Sequence, residues 1–328
     1  MTIKKALISG ITGQDGSYLA EQLVEKGYEV HGLIRRASTF NTSRLSSLYK
    51  STEEEQKLKL HYVDAVDSLH LYQIIESIQP HEIYNLAALS HVAQSFEQPE
   101  YAAETAGLGL LRILEIVKVT KINTRIYQAS SSELFGSTPP PQNESSKMTP
   151  QSPYAAAKLY AHEISRIYRD AYGIYISSGI LFNHESQRRS RTFVTRKISA
   201  AVAEIVKGKR INLTLGNLDA KRDWGYAPEY TDAMWRMLQL DEPCNLVIAT
   251  GSQYSVRDFC QFAFEEAGLD YQKYVLSSDQ FKRPLEVESL RGDPTLASKL
   301  IGWKPKVLAP ELAKIMVNAD LERENFLF

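Results

Sequence analysis

Cysteine is scarce in this 328-residue chain, which contains only Cys244 and Cys260. Their spacing matches neither a metal site nor a redox pair, so we expect no disulfide framework and a reducing, cytoplasmic location. The seven histidines are scattered without a spacing such as H-E-x-x-H, and we predict no metal site. Long apolar runs are also lacking: none reaches transmembrane length, and the run Ala6–Ser9 is too short for a signal peptide.

The chain has almost no net charge, because 38 lysines and arginines stand against 39 aspartates and glutamates. Without a global basic field, neither nucleic acid nor an anionic membrane is an expected partner. Hydrophobic residues make up 43% and charged residues 23% of the chain, which is ordinary for a soluble globular protein of one large or two modest domains. Any nucleotide binding must therefore come from local sites.

A strand, a glycine turn, a helix and a second strand open the chain. The apolar run Ala6–Ser9 leads into the turn, a helical pattern extends to Gly27, and a second apolar run covers Val30–Ile34. This is the βαβ unit that carries a dinucleotide, because glycines let the backbone approach the pyrophosphate and free N–H groups at the helix start bind it. The turn is spaced G-x-x-G-x-x-G, and an ordinary tight turn is the alternative. The predicted cofactor-binding residues are Gly10, Thr12, Gly13, Gln14, Asp15 and Gly16.

The second strand ends in Arg35 and Arg36, and no acidic residue stands there. In NAD-binding units an acidic residue near this point binds the ribose 2′-hydroxyl, whereas an arginine accommodates a 2′-phosphate. The sequence therefore predicts NADP as the cofactor, held by at least one of the two arginines. A solvated basic pair is the alternative.

Strands and helices alternate along the chain, which predicts an α/β fold: a Rossmann-type doubly wound parallel sheet with a smaller C-terminal α/β substrate domain. Strands are predicted at Leu60–Val63, Glu82–Ala88 and Arg125–Ala129, and one long helix at Tyr101–Val119. The run Leu246–Ala249 is predicted to rejoin the first sheet. The predicted domains are 1–180 with 226–250 for NADP, and 181–225 with 251–328 for the substrate.

The candidate catalytic residues are Tyr154, Lys158, Ser131 and Glu133. Tyr154 and Lys158 are four residues apart in an alanine-rich helical run, so they share one helix face. A lysine ammonium beside a phenol favours the phenolate, and we predict that Lys158 lowers the pKa of Tyr154 enough for a general base. Ser131 and Glu133 follow a strand at its carboxyl end, where ligands bind in open α/β sheets. Capping a helix is the alternative role for Glu133.

Several motifs spread over almost the whole chain are more specific than the glycine turn. They are the segments 10–16, 35–36, 85–88, 128–133, 152–158, 179–186, 193–197 and 221–225. Together they resemble the GDP-mannose 4,6-dehydratase family of extended short-chain dehydrogenases/reductases. The resemblance implies a tightly held NADP and a reaction with no net redox change.

The resemblance also implies a mechanism. Tyr154 takes the proton of the sugar C4 hydroxyl while hydride leaves C4 for the nicotinamide, and Lys158 holds the nicotinamide ribose. The new 4-ketone acidifies the C5 proton, which Glu133 takes before it donates a proton to the departing C6 hydroxyl. Hydride then returns to C6, and the product is GDP-4-keto-6-deoxy-mannose.

Further binding residues follow from the same resemblance. For the cofactor they are Asp64, Ala65, Leu86, Ala87, Ala88, Ser90, Tyr101, Tyr154, Lys158, His184 and Arg189. For the GDP-sugar they are Ser90, Ser131, Asn183, Val194, Lys197, Leu215, Gly216, Arg222, Arg283 and Glu286. On the residues alone, His184 is equally well explained as a core histidine and Arg283 as part of a surface turn. Trp224 and Trp303 are predicted to be packing residues.

Three places depart from the family pattern. Ser131 stands where threonine is usual, Leu89 where glutamine is usual, and 187–190 lacks the usual proline and glycine. They leave the sugar open, with GDP-D-glycero-D-manno-heptose as the alternative to GDP-mannose. The sequence is also compatible with an NADPH-dependent GDP-keto-sugar reductase or epimerase, which does not need Glu133, and with a non-enzymatic NADP sensor. The resemblance also places Arg35 and 41–44 at a contact between subunits, which implies a homo-oligomer, expected to be a tetramer.

Overall fold

The computed structural model describes residues 3–36, 41–46, 48, 57–278, 280 and 285–323. Among these residues, a parallel sheet of seven strands forms the centre of the molecule. Its strands are β1 Lys5–Ser9, β2 Glu29–Ile34, β3 Leu58–Tyr62, β4 Glu82–Asn85, β5 Arg125–Ser131, β6 Ile176–Leu181 and β11 Asn245–Ile248. The order β11-β6-β5-β4-β1-β2-β3 confirms the predicted doubly wound Rossmann-type sheet.

Helices cover both faces of the sheet, because alternate residues of each buried strand point to opposite sides. Ile8 belongs to one hydrophobic core and its neighbour Leu7 to the other. The first core is closed by α1 Gln14–Glu25 and α8 Ala227–Met237, and the second by α2 Ser68–Ile78, α5 Gly109–Thr120 and α6 Pro153–Tyr172.

The segment predicted as one helix over Tyr101–Val119 changes its geometry midway. The short helix α4, Pro99–Ala102, passes into a π-helical segment at Ala103–Leu108 before α5 begins. Helix α6 packs closely there, since a Cβ atom on Gly107 would lie 3.3 Å from the Tyr160 ring. Hydrophobic periodicity does not distinguish a short π-helical insertion from a continuous α-helix, so the prediction was wrong in this detail.

Strand ends differ from the predicted ones by a few residues. The strand predicted at Glu82–Ala88 ends at Asn85, because the N–H groups of Leu86 and Ala87 donate to the Ser9 hydroxyl. The strand at Arg125 instead continues through Ser131. The run that was predicted to rejoin the sheet does so as β11, which pairs with β6.

A smaller unit faces the carboxyl ends of the strands. Its core is formed by the buried faces of three helices, whose ranges are given below. The packing role predicted for Trp224 is confirmed, since its ring is buried in this core and packs edge-on against Phe259. The strand pairs are β7 Asn183–Glu185 with β10 Trp224–Tyr226, β8 Leu213–Leu215 with β13 Val275–Ser277, and β9 Lys221–Arg222 with β12 Tyr254–Ser255; the helices are α7 Val194–Val206, α9 Val256–Glu266 and α11 Ala309–Glu322.

The remaining elements are short and belong to one part or the other. They are α3 Val92–Glu97, α10 Thr295–Ile301 and 3-10 turns at Ser43–Leu45, Ser132–Leu134 and Tyr271–Lys273. Residues of α10 and the buried Trp303 pack in the first core of the large sheet, within the range that was predicted for the substrate domain. In the part of the chain described, no helix is long and apolar enough to cross a membrane, and no cluster of three or more His, Cys, Asp or Glu side chains could hold a metal ion.

A histidine pair makes the stability of the large sheet depend on pH. The Nδ1 atom of His31 lies 2.9 Å from Nε2 of His61, and His31 is only 5% exposed. Burial lowers the pKa of both imidazoles below the ordinary value, and for His31 it outweighs the nearby Glu29 carboxylate. The histidines of the unfolded chain therefore bind protons more readily than those of the folded protein. Above about pH 6.5 this difference costs no stability, and as the pH falls below that value the protein becomes less stable.

Between pH 7.5 and pH 5.5 the wild type should lose stability as its buried histidines take up protons. In His31→Gln we expect the unfolding free energy to fall by about 1 kcal/mol less over the same range. Urea unfolding of both proteins at these two pH values measures the difference. The control is His81→Gln, which replaces an exposed histidine. Equal pH slopes for the wild type and His31→Gln would contradict the assignment.

Candidate active site

A cavity of about 860 Å³ lies between the sheet and the smaller unit. Small-molecule sites typically span roughly 300–1,000 Å³, so the cavity has room for a large ligand. Every predicted site residue within the described chain lines it except Arg36. Those residues are Gly10, Thr12, Gly13, Gln14, Asp15, Gly16, Arg35, Asp64, Ala65, Leu86, Ala87, Ala88, Ser90, Tyr101, Ser131, Glu133, Tyr154, Lys158, Asn183, His184, Arg189, Val194, Lys197, Leu215, Gly216, Arg222 and Glu286.

The glycine turn forms one end of the cavity. Gly10 has φ +73°, in the left-handed region that favours glycine, and its carbonyl accepts the N–H of Gly13 at 3.0 Å. A Cβ atom on Gly16 would lie 2.4 Å from the Gly10 carbonyl oxygen. The tight turn thus presents the N-terminus of α1 to the cavity, and it fits the pyrophosphate of a dinucleotide.

Polar side chains form a row across the carboxyl ends of three adjacent strands. The Ser9 hydroxyl donates to Asn85 Oδ1 at 2.7 Å, and Asn85 Nδ2 donates to Gln128 Oε1 at 2.7 Å. This row lies where the strand order reverses between β1 and β4. Ligands of open α/β sheets bind at such a switch point, and the cavity occupies it.

Lys158 is buried beneath the cavity one helical turn after Tyr154. Its ammonium donates to the Ala129 carbonyl at 2.7 Å and lies 5.9 Å from the centre of the Tyr154 ring. Burial lowers the pKa of Lys158 to about 8. The backbone carbonyl therefore fixes the lysine ammonium beside the Tyr154 ring.

The pKa of Tyr154 changes in the opposite direction from the one predicted. Burial raises it to about 12, the Ser131 hydroxyl lowers it, and the Glu133 carboxylate raises it again. The prediction that Lys158 lowers the pKa of this phenol is therefore wrong for this structure. Sequence spacing placed both residues on one helix face but could not include the cost of burying a phenolate.

Ser131 and Glu133 approach Tyr154 from the end of β5. Both are buried, and the Ser131 hydroxyl accepts the Glu133 N–H at 3.3 Å as the cap of a 3-10 turn. All three side chains line the same cavity, where the Ser131 hydroxyl and the Glu133 carboxylate both act on the pKa of the Tyr154 phenol. The carboxylate lines the cavity, so it is available for more than a capping role.

The two arginines after β2 lie in different places. The Arg35 guanidinium donates to the Tyr101 hydroxyl at the cavity wall. Arg36 instead stacks over Tyr62 with its guanidinium 5.3 Å from the ring centre, outside the cavity lining. Successive residues beyond a strand point to opposite sides, so Arg35 lines the cavity and Arg36 does not.

At the far end, charged side chains of the smaller unit enter the cavity. Arg222 is buried and its guanidinium lies 3.0 Å from the Glu286 carboxylate. Arg189 pairs with Glu185 at 3.1 Å and lies over the Phe193 ring, near Asp15 and His184 beside the glycine turn. The cavity thus has a cation toward each end, which suits anionic ligands.

Three more arginines of the 187–225 region have structural partners. Arg188 pairs with Glu21 at 2.8 Å, Arg196 with the buried Asp320, and Arg210 with Glu204 at 2.6 Å. These contacts fix the smaller unit and the loop after β7. These three arginines are thus engaged by carboxylates of the protein itself and do not line the cavity, whereas Arg189 and Arg222 do.

Two buried carboxylates support the site and were not predicted from the sequence. Asp223 accepts the N–H groups of Thr250 at 2.8 Å and Gly251 at 2.9 Å, so it ties the segment next to Arg222 to the end of β11. Glu185 accepts the Thr195 hydroxyl at 2.8 Å, next to its pair with Arg189. The only sequence signal for these two residues was that each acid lies inside a motif, 221–225 or 179–186. Such a signal does not reveal which backbone groups the carboxylate will contact.

The departures from the family pattern are distributed unevenly. Ser131 lines the cavity, but Leu89 does not, although Ala88 and Ser90 do. The Gln187 carbonyl accepts the Arg323 guanidinium at 2.8 Å, away from the cavity lining. The predicted GDP-sugar contact Arg283 lies outside the described residues.

Two similar proteins and the family model that matches this chain are all described as GDP-mannose 4,6-dehydratases. A family model described as GDP-mannose 4,6 dehydratase matches residues 7–316. GDP-mannose 4,6 dehydratase 1 of Arabidopsis thaliana is 50% identical over 325 residues, covering 97% of this chain and 90% of the relative. GDP-mannose 4,6-dehydratase of Vibrio cholerae is 49% identical over 354 residues, covering 98% and 95%.

Solved structures with the same fold are more distant in sequence. RMD from Pseudomonas aeruginosa, complexed with NADPH, superposes with a TM-score of 0.79 at 19% identity and covers 98% of this chain and 100% of that one. This likeness shows the fold.

Proposed function

This chain belongs to the GDP-mannose 4,6-dehydratase family, and from that premise we propose that it converts GDP-mannose to GDP-4-keto-6-deoxy-mannose with NADP as its cofactor. The observation that carries the proposal is the cluster of Tyr154, Ser131 and Glu133 in one cavity with the glycine turn. A phenol and a carboxylate that reach the same ligand can exchange protons at neighbouring carbons of a sugar.

Residues of the sheet half fit a dinucleotide. The glycine turn, in which Gly16 lies against the Gly10 carbonyl, presents the N-terminus of α1 to the cavity for a pyrophosphate, and Arg35 at the cavity wall supports a contact with a 2′-phosphate. No acidic residue follows β2 at that point, which favours NADP over NAD. Held by the glycine turn, a nicotinamide cofactor would supply reversible hydride transfer, from C4 of the sugar and back to C6. Tighter binding of NADPH than of NADH, measured by fluorescence titration, is the expected result.

The protein's own groups handle the protons. Tyr154 takes the proton from the C4 hydroxyl once its own phenol is ionised, and Ser131 contacts the same oxygen. Glu133 removes the C5 proton, which the adjacent ketone has made acidic, and passes it to the leaving C6 hydroxyl. C5 regains a proton when hydride returns to C6, and the proton taken by Tyr154 supplies it in the overall balance. Arg222 and Lys197 line the opposite end and bind the diphosphate of the GDP-sugar.

The experiment that tests the proposal is Glu133→Gln. The amide has the shape of the acid but cannot take the C5 proton, so dehydration of GDP-mannose is expected to fall about a hundredfold. Mass spectrometry of the nucleotide sugar follows the loss of water. Binding of NADPH and the melting temperature should be unchanged.

The matched control is Glu163→Gln, because Glu163 is exposed on the helix that carries Tyr154. A Glu133→Gln enzyme with the wild-type rate would overturn the dehydratase assignment. Net consumption of NADPH with a 4-keto sugar would support a reductase instead, and water loss only from the heptose substrate would reassign the sugar. The homo-oligomer and the cytoplasmic location stay predictions.

A further inference from the structure

His184 has an oxygen acceptor at each ring nitrogen. Its Nδ1 atom lies 2.7 Å from the Phe182 carbonyl oxygen, and its Nε2 atom lies 2.9 Å from Oδ2 of Asp15. A neutral imidazole has only one N–H, so it can satisfy only one of these acceptors. Both nitrogens donate only when the ring is the imidazolium cation.

The Asp15 carboxylate is the anionic partner of this ring. Its second oxygen, Oδ1, accepts the Gln14 amide at 3.0 Å, so neither carboxylate oxygen is placed to carry a proton toward a neighbour. Burial raises the pKa of Asp15, but His184, with smaller effects of Gln14 and Arg189, outweighs it and lowers the pKa to about 2. Burial by itself lowers the pKa of His184, but the Asp15 carboxylate raises it above the ordinary value.

The surroundings of the ring hold it in place and add few further charges. Its face stacks on Tyr230 with ring centres 4.6 Å apart, and the Gln14 amide donates to the His184 carbonyl at 3.1 Å. Arg189 opposes the positive charge of the ring, and Lys158 interacts with Asp15 from below. The ring is therefore rigidly placed beside the glycine turn.

Asp15 occupies an unfavourable position for an anionic ligand. It is the second residue of α1, whose free N–H groups are the expected binding site for a diphosphate. A bare carboxylate there would repel that ligand. The positive charge of His184, 2.9 Å from Oδ2 of Asp15, offsets the negative charge that would cause this repulsion.

We infer that His184 is held as an imidazolium cation and compensates the Asp15 carboxylate, so that the anionic dinucleotide can occupy the glycine turn. This role rests on the proposed function, since it requires NADP to bind there. It is a charge-compensating role in cofactor binding and involves no proton transfer to the sugar.

Charge rescue tests the inference. His184→Gln keeps a hydrogen-bond donor for Asp15 but removes the positive charge, so the Kd for NADPH at pH 7 is expected to rise about tenfold. Adding Asp15→Asn removes the unbalanced negative charge, and the double variant should return to within about threefold of the wild-type Kd. Fluorescence titration of NADPH measures all three proteins. Nitrogen-15 NMR of the wild-type histidines should show one ring that is protonated at both nitrogens at pH 7.

The control is His81→Gln, an exposed histidine that lies outside the cavity lining. If His184→Gln binds NADPH as the wild type does, or if Asp15→Asn fails to rescue it, the charge-compensating role is wrong and the residue is structural. A neutral imidazole in the NMR spectrum also contradicts it. A wild-type protein that binds neither NADPH nor NADH contradicts the proposed function as well, which distinguishes the two failures.

Discussion

Replacing Tyr154 with phenylalanine is expected to lower kcat for dehydration of GDP-mannose by about a thousandfold or more. The substitution removes only the hydroxyl that lies close to Ser131 and Glu133 in the cavity. The ring stays buried in α6, so folding and NADPH binding should be nearly unchanged. Steady-state kinetics with mass detection of the product, together with an NADPH titration, measure both quantities.

Tyr160→Phe is the matched control, because Tyr160 lies in the same helix and its side chain is 41% exposed. It loses the same hydroxyl without touching the cavity lining, and its kcat should stay within about twofold of the wild type. If Tyr154→Phe retained the wild-type rate, proton transfer at the C4 hydroxyl would have to be assigned to another group.

Replacing Asp320 with asparagine is expected to lower the free energy of unfolding by about 3–5 kcal/mol. Asp320 is fully buried and pairs with the Arg196 guanidinium, which is 1% exposed, while Ser199 donates to the same carboxylate at 2.8 Å. Loss of the negative charge leaves a guanidinium in the core of the smaller unit. Urea unfolding measures the change.

Asp170→Asn provides the comparison, because this carboxylate pairs with Arg166 at 3.3 Å on the exposed face of α6. We expect it to change stability by less than about 1 kcal/mol. The double variant Arg196→Met, Asp320→Leu removes both charges and should regain most of the lost stability. A single Asp320→Asn variant that is as stable as the wild type would show that the pair contributes little.

The fold was predictable because its signals are local and repeated. The glycine turn, the run of buried strands and the helices between them each follow from a short stretch of sequence, and the handedness of βαβ units limits how they can be joined. The same reasoning brought the candidate catalytic residues to the cavity: Ser131 ends β5, Glu133 follows it, and the carboxyl ends of parallel strands meet at one edge.

Three expectations depended on surroundings that no local pattern contains. The pKa of Tyr154 was predicted to fall, but burial raises it. Arg36 was grouped with Arg35, but it stacks on Tyr62 away from the cavity. Leu89 was one of the three departures that left the sugar open, but it does not line the cavity, whereas its neighbours Ala88 and Ser90 do.

The sequence by itself determined the doubly wound sheet, the glycine turn and the residue types of the candidate catalytic cluster, because periodicity and turn chemistry act over a few residues. Only the tertiary structure decided the charge of each group. His184 and Asp15 are 169 positions apart in the chain and meet at 2.9 Å in the cavity. Solvation and electrostatic energies depend on such distances in space, and these become defined only when the chain has folded.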